Sequence, residues 1–207
     1  PGVTADMLAR VMAVDFDAVA ARSRAVAELL TDADQAHVTC PRGTDLRLDL
    51  TGRAGIPDDG DLTARGAFGN LPCGEAFVSP LGGEGVAMVT GFDGAVADQA
   101  EPLTIQEGRL VAVEGPNGEA LLARLSAHGR DGTNLAELGV GTNDRATLSG
   151  NVLEDEKILG SIHIAFGASA GIGGTVSVPI HQDVTVLDAT LDIGGTRVLD
   201  AGRFVLG

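Results

Sequence analysis

From about residue 36 onward the sequence alternates apolar and polar residues with period 2, and the alternating runs end in glycine. The runs are "AHVTC", "DLRLDLTG", "GVAMVTG", "RLVAVEG" and "VTVLDATLDIGG". Successive side chains of a strand point to opposite faces, so this period marks strands with one buried face. Glycine marks the turns between them, and "GFDGAV" and "EGPNGEAL" read as hairpin turns. Trp and Tyr are absent, so the core falls to Val, Leu, Ile and Ala.

Helical spacing shows in three places. Residues 4–12 read as a short helix capped by Thr4. Residues 15–31 read as a longer one capped by Asp15, with a small-and-apolar stripe of Phe16, Val19, Ala20, Ser23, Val26, Ala27 and Leu30. Arg22 and Arg24 read as solvated. Residues 117–130 read as a third helix that buries Leu121, Leu122 and Leu125 and stops at Gly129. The class expected is α+β: an antiparallel, barrel-like sheet with a few helices. Residues 1–35 form a helical lead-in, and residues 36–207 a β-rich domain that carries the chemistry.

A formal net charge of −15 argues against nucleic acid and anionic membranes as partners and suits a cation. No run of about 18 apolar residues exists to span a membrane, and no signal peptide opens the chain. Cys40 and Cys73 lack the spacing of a disulfide framework or a zinc ribbon, and read as reduced thiols of a cytoplasmic protein.

The chemical candidates are few. His181 and Asp183 stand two apart in "PIHQD", so a strand puts imidazole and carboxylate on one face. His163, in "SIHIAFG", lies opposite Ile162, Ile164 and Phe166 on its own strand. If the two strands are neighbours, two His and one Asp converge, a set that suits Zn, Co, Mn or Fe(II). A pair of hydrogen-bonded core histidines is the other reading of the same spacing. Two acids sit in apolar surroundings: Glu75 in "NLPCGEAF" and Glu137 in "NLAELGVGTN". Each is either solvated or buried with a partner. Taken together, Glu75, Glu137, His163, His181 and Asp183 exceed the needs of one ion and suit two metals with a bridging carboxylate. "LEDEK", residues 153–157, reads as a solvated turn, and "GASAGIGG", residues 167–174, as a flexible loop rimming the site. No serine stands in a G-x-S-x-G setting.

Four ordered motifs, "NLPCGEAFVSP", "NLAELGVGTN", "EDEKILGSIHIAFG" and "VPIHQDVTVLD", resemble the thermophilic metallo-aminopeptidase family of the aminopeptidase T and S type, from about residue 15 to the end. The resemblance implies a dinuclear hydrolase that cleaves N-terminal residues or related amides. It implies Glu75, Glu137, His163, His181 and Asp183 as ligands of two divalent ions (Zn, Co or Mn), with Glu75 or Glu137 bridging them or handling the proton. It also implies a longer protein with an additional N-terminal α/β domain, and a homo-oligomer or a separate partner chain. The chain departs from the family where a Tyr is expected, near Ala170. The same fold is similar to an Fe(II) ring-cleaving dioxygenase of dihydroxypyridines, whose facial triad corresponds to His163, His181 and Asp183. Glu75 points to the hydrolase branch, and the missing Tyr to the other. A metal-binding homologue without catalysis is the third expectation.

Overall fold

The computed structural model describes residues 2–67 and 69–206. Two helices open the chain. Helix α1 (Ala5–Val11) starts where the Thr4 hydroxyl accepts from the Met7 amide, and α2 (Phe16–Asp32) where the Asp15 carboxylate accepts from the Ala18 amide. Both caps are those read from the sequence. The stripe of α2 buries Val19, Ser23, Val26, Ala27 and Leu30, while Phe16 lies outside it and is largely exposed. Arg22 is also tied down: its Nε donates to the Thr142 carbonyl at 3.0 Å, beside the Ser23–Thr142 hydroxyl pair.

Among the described residues thirteen strands follow, all paired antiparallel in one curled sheet. In chain order they are β1 (Gln35–Thr39), β2 (Asp45–Asp49), β3 (Ile56–Asp58), β4 (Glu75–Val78), β5 (Gly82–Phe92), β6 (Ala95–Gln106), β7 (Arg109–Val113), β8 (Leu135–Gly141), β9 (Ile162–Gly167), β10 (His181–Val186), β11 (Thr190–Ile193), β12 (Thr196–Asp200) and β13 (Arg203–Phe204). Their spatial order is β13-β12-β11-β1-β2-β5-β10-β9-β8-β4-β3, with β6 and β7 continuing from β5 as a separate flap. Helix α2 packs across β3 and β4. Helices α3 (Pro116–Ser126), α4 (Gly129–Gly132) and α5 (Val152–Asp155) lie in the connections. The α+β class with an antiparallel, half-barrel sheet is the one the alternation implied.

Three local expectations change. "EGPNGEAL" is not a hairpin turn: Gly115 caps α3 and Pro116 opens it, the position where a missing N–H costs nothing. The hairpin turn in that region is Glu107-Gly108, both with positive φ, between β6 and β7. The helix expected over 117–130 ends at Ser126, and Gly129, with φ +69°, starts the separate turn α4 instead of stopping α3. The solvated turn expected at 153–157 is buried, because Asp155 accepts from the Ser149 and Gly150 amides and Glu154 from the Thr147 amide and Arg10. Among the described residues no helix is long and apolar enough to cross a membrane.

Candidate metal centre

The five neighbouring strands β10-β9-β8-β4-β3 build the site through their register. Directly opposed residues of an antiparallel pair share a face. Asp58 opposes Glu75, Glu75 opposes Gly141, Gly139 opposes His163, and Ala165 opposes both Glu137 and Asp183. Asp58, Glu75, Glu137, His163, His181 and Asp183 therefore stand on one face. The other face carries Ala76, Val78, Leu138, Val140, Ile162, Ile164, Phe166, Val184 and Val186, all within the core.

Glu137 reaches the polar face through a β-bulge. Leu135 opposes Phe166 while Glu137 opposes Ala165, so two steps along β8 match one step along β9. The extra residue reverses the alternation, and Leu135 and Glu137, two apart, point to opposite sides. This is why a carboxylate can interrupt the run "NLAEL" without being solvated.

The site face of β8 continues from Glu137 through Gly139 and Gly141, which carry no side chains. The His163 imidazole lies across Gly139 so closely that a Cβ there would fall 2.0 Å from its Cε1 and Nε2. His163 is fully buried. Its Nε2 is 3.1 Å from Glu137 Oε1 and 3.3 Å from Glu75 Oε2. The second oxygen of Glu137 lies 3.4 Å from His181 Nε2, and Asp183 Oδ1 lies 3.6 Å from the same nitrogen. His181 Nδ1 is 2.8 Å from the Ala168 carbonyl, an acceptor that fixes the proton on Nδ1 and turns Nε2 to the site. Two donor groups result, Glu75-Glu137-His163 and Glu137-His181-Asp183, joined through Glu137. The first is buried. The second opens to solvent at His181, whose side chain is 33% exposed.

Sequence reasoning missed the residues behind Glu75. Lys157 is fully buried, 2.9 Å from Glu75 Oε1, 2.6 Å from Glu156 Oε1 and 3.5 Å from Asp58 Oδ2. The available signal was that Lys157 is the sole lysine of the chain. Its partners Glu75 and Asp58 lie far away in sequence, so "LEDEK" alone read as a surface turn.

The electrostatics divide the site in two. Burial pushes the Glu75 carboxyl up to about 8, against the pull of Lys157, and also raises Glu156 and Asp58. Burial opposes charge at Glu137 as well, but hydrogen bonds from His163 and His181 outweigh it and hold the carboxyl at about 2. The bond to Glu137 overcomes desolvation at His163 and raises it to about 9, and bonds to Asp183 and Glu137 do the same at His181 and raise it to about 11. Glu75 Oε2, Asp58 Oδ2 and His163 Nδ1 are buried with no hydrogen-bond partner. Imidazole nitrogens and carboxylate oxygens packed this closely, with orphaned donor atoms among them, fit a divalent cation with N/O preference.

No curated protein matches the chain. Among solved structures, the 2,5-dihydroxypyridine dioxygenase from Pseudomonas putida KT2440 is 20% identical with a TM-score of 0.86, over 98% of this chain and 63% of that one. Wild-type AmpT from Thermus thermophilus is 22% identical with a TM-score of 0.74, over 97% of this chain and 58% of that one. The chain thus spans about three fifths of the length of the structures it matches, and the likeness to both is one of fold. The family match is to a dioxygenase, as is the neighbour with the higher TM-score, and this overturns the aminopeptidase-like hydrolase, its peptide or amide substrate and its peptidase chemistry. Physically, the carboxylate that pointed to the hydrolase branch, Glu75, is bonded to the Lys157 ammonium. Residues 4–206 match the model of the NicX family, described as 2,5-dihydroxypyridine 5,6-dioxygenase, and the chain belongs to that family.

Proposed function

We propose that the chain carries the centre of a mononuclear Fe(II) dioxygenase that opens the ring of a small dihydroxylated heteroaromatic. The observation that carries this reading is the meeting of His163, His181 and Asp183 on one sheet face in a chain of this family. Two imidazoles and one carboxylate leave coordination positions free, as oxygen chemistry requires. His163, His181 and Asp183 would hold the ion. Fe(II) supplies the one-electron chemistry that lets dioxygen react with a closed-shell ring.

The other residues admit the substrate and orient the imidazoles. The exposed end at His181 and Asp183 admits the substrate, while the Glu75–Lys157 end is closed to water. Glu137, held at about 2 by His163 and His181, stays ionised and orients both imidazoles with its two oxygens. Glu75, bonded to Lys157, keeps its second oxygen beside His163 and orients that ring.

The test is anaerobic loading with Fe(II), then oxygen uptake with a panel of dihydroxypyridines and related rings. The expected result is equimolar loss of oxygen and of ring absorbance with one member of the panel. Protein that holds Fe(II) yet consumes no oxygen with any of them refutes the reading.

A further inference from the structure

The connection from β9 to β10 carries the carbonyl that orients His181. Residues 167–174 read from their glycines as a flexible loop, yet residues 168–180 close on themselves as a strap. At its base the Ala168 amide donates to the Ile180 carbonyl at 2.8 Å. One step out, the Ser169 and Ala170 amides both donate to the Val176 carbonyl at 2.9 Å, and the Val176 amide donates back to Ser169 Oγ at 3.2 Å. The Gly174 amide returns to the Ser169 carbonyl. The strap runs past β8 to the end of β4, where a Cβ at Gly174 would lie 2.5 Å from Ser79 Oγ. Its tip is caught from outside: Arg53, between β2 and β3, donates from Nη1 to the Gly173 carbonyl at 2.7 Å.

We propose that this strap positions His181 for a cation, with Ser169 as its hub and Arg53 as its latch, a deepening that rests on His181 as a ligand in the reading above. His181 is the first residue of β10 and its side chain is 33% exposed, so packing does not fix its ring as it fixes His163. The ring is held instead by the Ala168 carbonyl, 2.8 Å from Nδ1. That carbonyl shares one rigid peptide plane with the Ser169 N–H, and the Ser169 N–H is bonded to Val176. The paired bonds between Ser169 and Val176 therefore set the direction of the Ala168 carbonyl, and with it the aim of His181 Nε2. Arg53 secures the far end. Its Nε is buried without a partner, and the Gly173 carbonyl is the one hydrogen-bond acceptor its guanidinium meets among the described residues.

The experiment needs no turnover. Metal-depleted protein is titrated with Co(II) under anaerobic conditions, and the affinity, the visible Co(II) spectrum and the Tm of the metal-free forms are recorded. Ser169→Ala is expected to weaken Co(II) binding about tenfold and Arg53→Ala about threefold to tenfold, each with an altered spectrum. The metal-free Tm of Arg53→Ala should stay within about 2 °C of the unaltered chain. In a His181→Ala background neither change should weaken Co(II) further, because a coupling carried by that ring disappears with it. Unchanged affinity or an unchanged spectrum in Arg53→Ala overturns the proposal, and so does an equal further loss in the His181→Ala background. If Ser169→Ala does not fold, the Arg53 variants decide alone. If His181→Ala binds Co(II) too weakly to titrate, weaker binding with an unmoved Tm in Arg53→Ala supports the proposal, and a Tm that falls in step with affinity overturns it. The outcome is separable from the dioxygenase reading: coupling to His181 with no oxygen uptake removes that reading and leaves the strap its role, while uptake without coupling does the reverse.

Discussion

The placement of His163 over Gly139 gives the sharpest test of the site. In Gly139→Ala the new Cβ would lie 2.0 Å from two ring atoms, whereas real Cβ atoms essentially never come within 3.0 Å of a neighbour. The imidazole must therefore retreat by about 1 Å before the contact is even tolerable, in a core packed too densely to yield freely. A shift of that size opens the 3.1 Å contact with Glu137 and carries Nε2 off the point shared with Glu75 and Glu137. Overpacking of this kind costs about 2 kcal/mol. For a chain of this length that corresponds to a fall in Tm of roughly 4–8 °C. Displacing one ligand ring lowers cation affinity by at least about tenfold, the scale seen when groups that orient metal ligands are altered. The control is Gly171→Ala, where nothing lies within 4 Å of the added methyl and neither quantity should change. Isothermal titration with Fe(II) or Co(II), with thermal unfolding of the metal-free forms, measures both. If Gly139→Ala binds the cation as tightly as the unaltered chain, the position of the His163 ring is not what holds it.

Three further outcomes are expected. In the metal-free protein His163 and His181 stay protonated to about pH 9 and about 11, above the unfolded value of 6.5. Their contribution to metal-free stability is thus fully present below about pH 6.5 and lost as pH rises through about 9 for His163 and about 11 for His181. A cation needs the neutral rings, so its binding at pH 7 should release up to about two protons and tighten toward pH 9; titrations in buffers of different ionisation enthalpy read the release, and none at all would sink the assignment. Asp155→Ala strips the acceptor from the Ser149 and Gly150 amides and should cost about 2 kcal/mol in urea unfolding, with cation affinity nearly unchanged. Asp15→Ala removes the cap of α2 and should cost about 1 kcal/mol, and equal midpoints in the two proteins would contradict the cap.

The fold class was legible because period-2 alternation marks β1, β2, β5 and β11, and the caps of α1 and α2 were legible because capping is local. Glu75, Glu137 and His163 could be picked out as polar residues in apolar surroundings, and His181 with Asp183 by their spacing of two; the register brings all five to one face. Their chemistry was less legible. Glu75 pointed to the hydrolase branch because a carboxylate in "PCGEAF" shows nothing of what it touches. The deciding contact comes from Lys157, 82 residues later, inside a stretch whose charge density imitates a surface turn. The bulge at Leu135–Glu137 was hidden for a related reason. It exists only relative to β9, and a single strand carries no mark of its partner's count. The α3 start misled because Gly-Pro-Asn-Gly serves equally well for a turn and for a helix entry; the missing information is what packs on Leu121 and Leu125.

The glycines of β8 have a consequence for how such a centre can change. Its room is made by omission: at Gly139 the strand leaves out the side chain and His163 occupies the gap, while at Gly141 the Ile158 backbone does. Each omission in a strand interior gives up roughly 0.5–1 kcal/mol of stability. A lineage drifting toward a sturdier strand would close the hollow with a single methyl and lose the imidazole with it. Robustness and chemistry thus compete here for the same Cα position, that of Gly139.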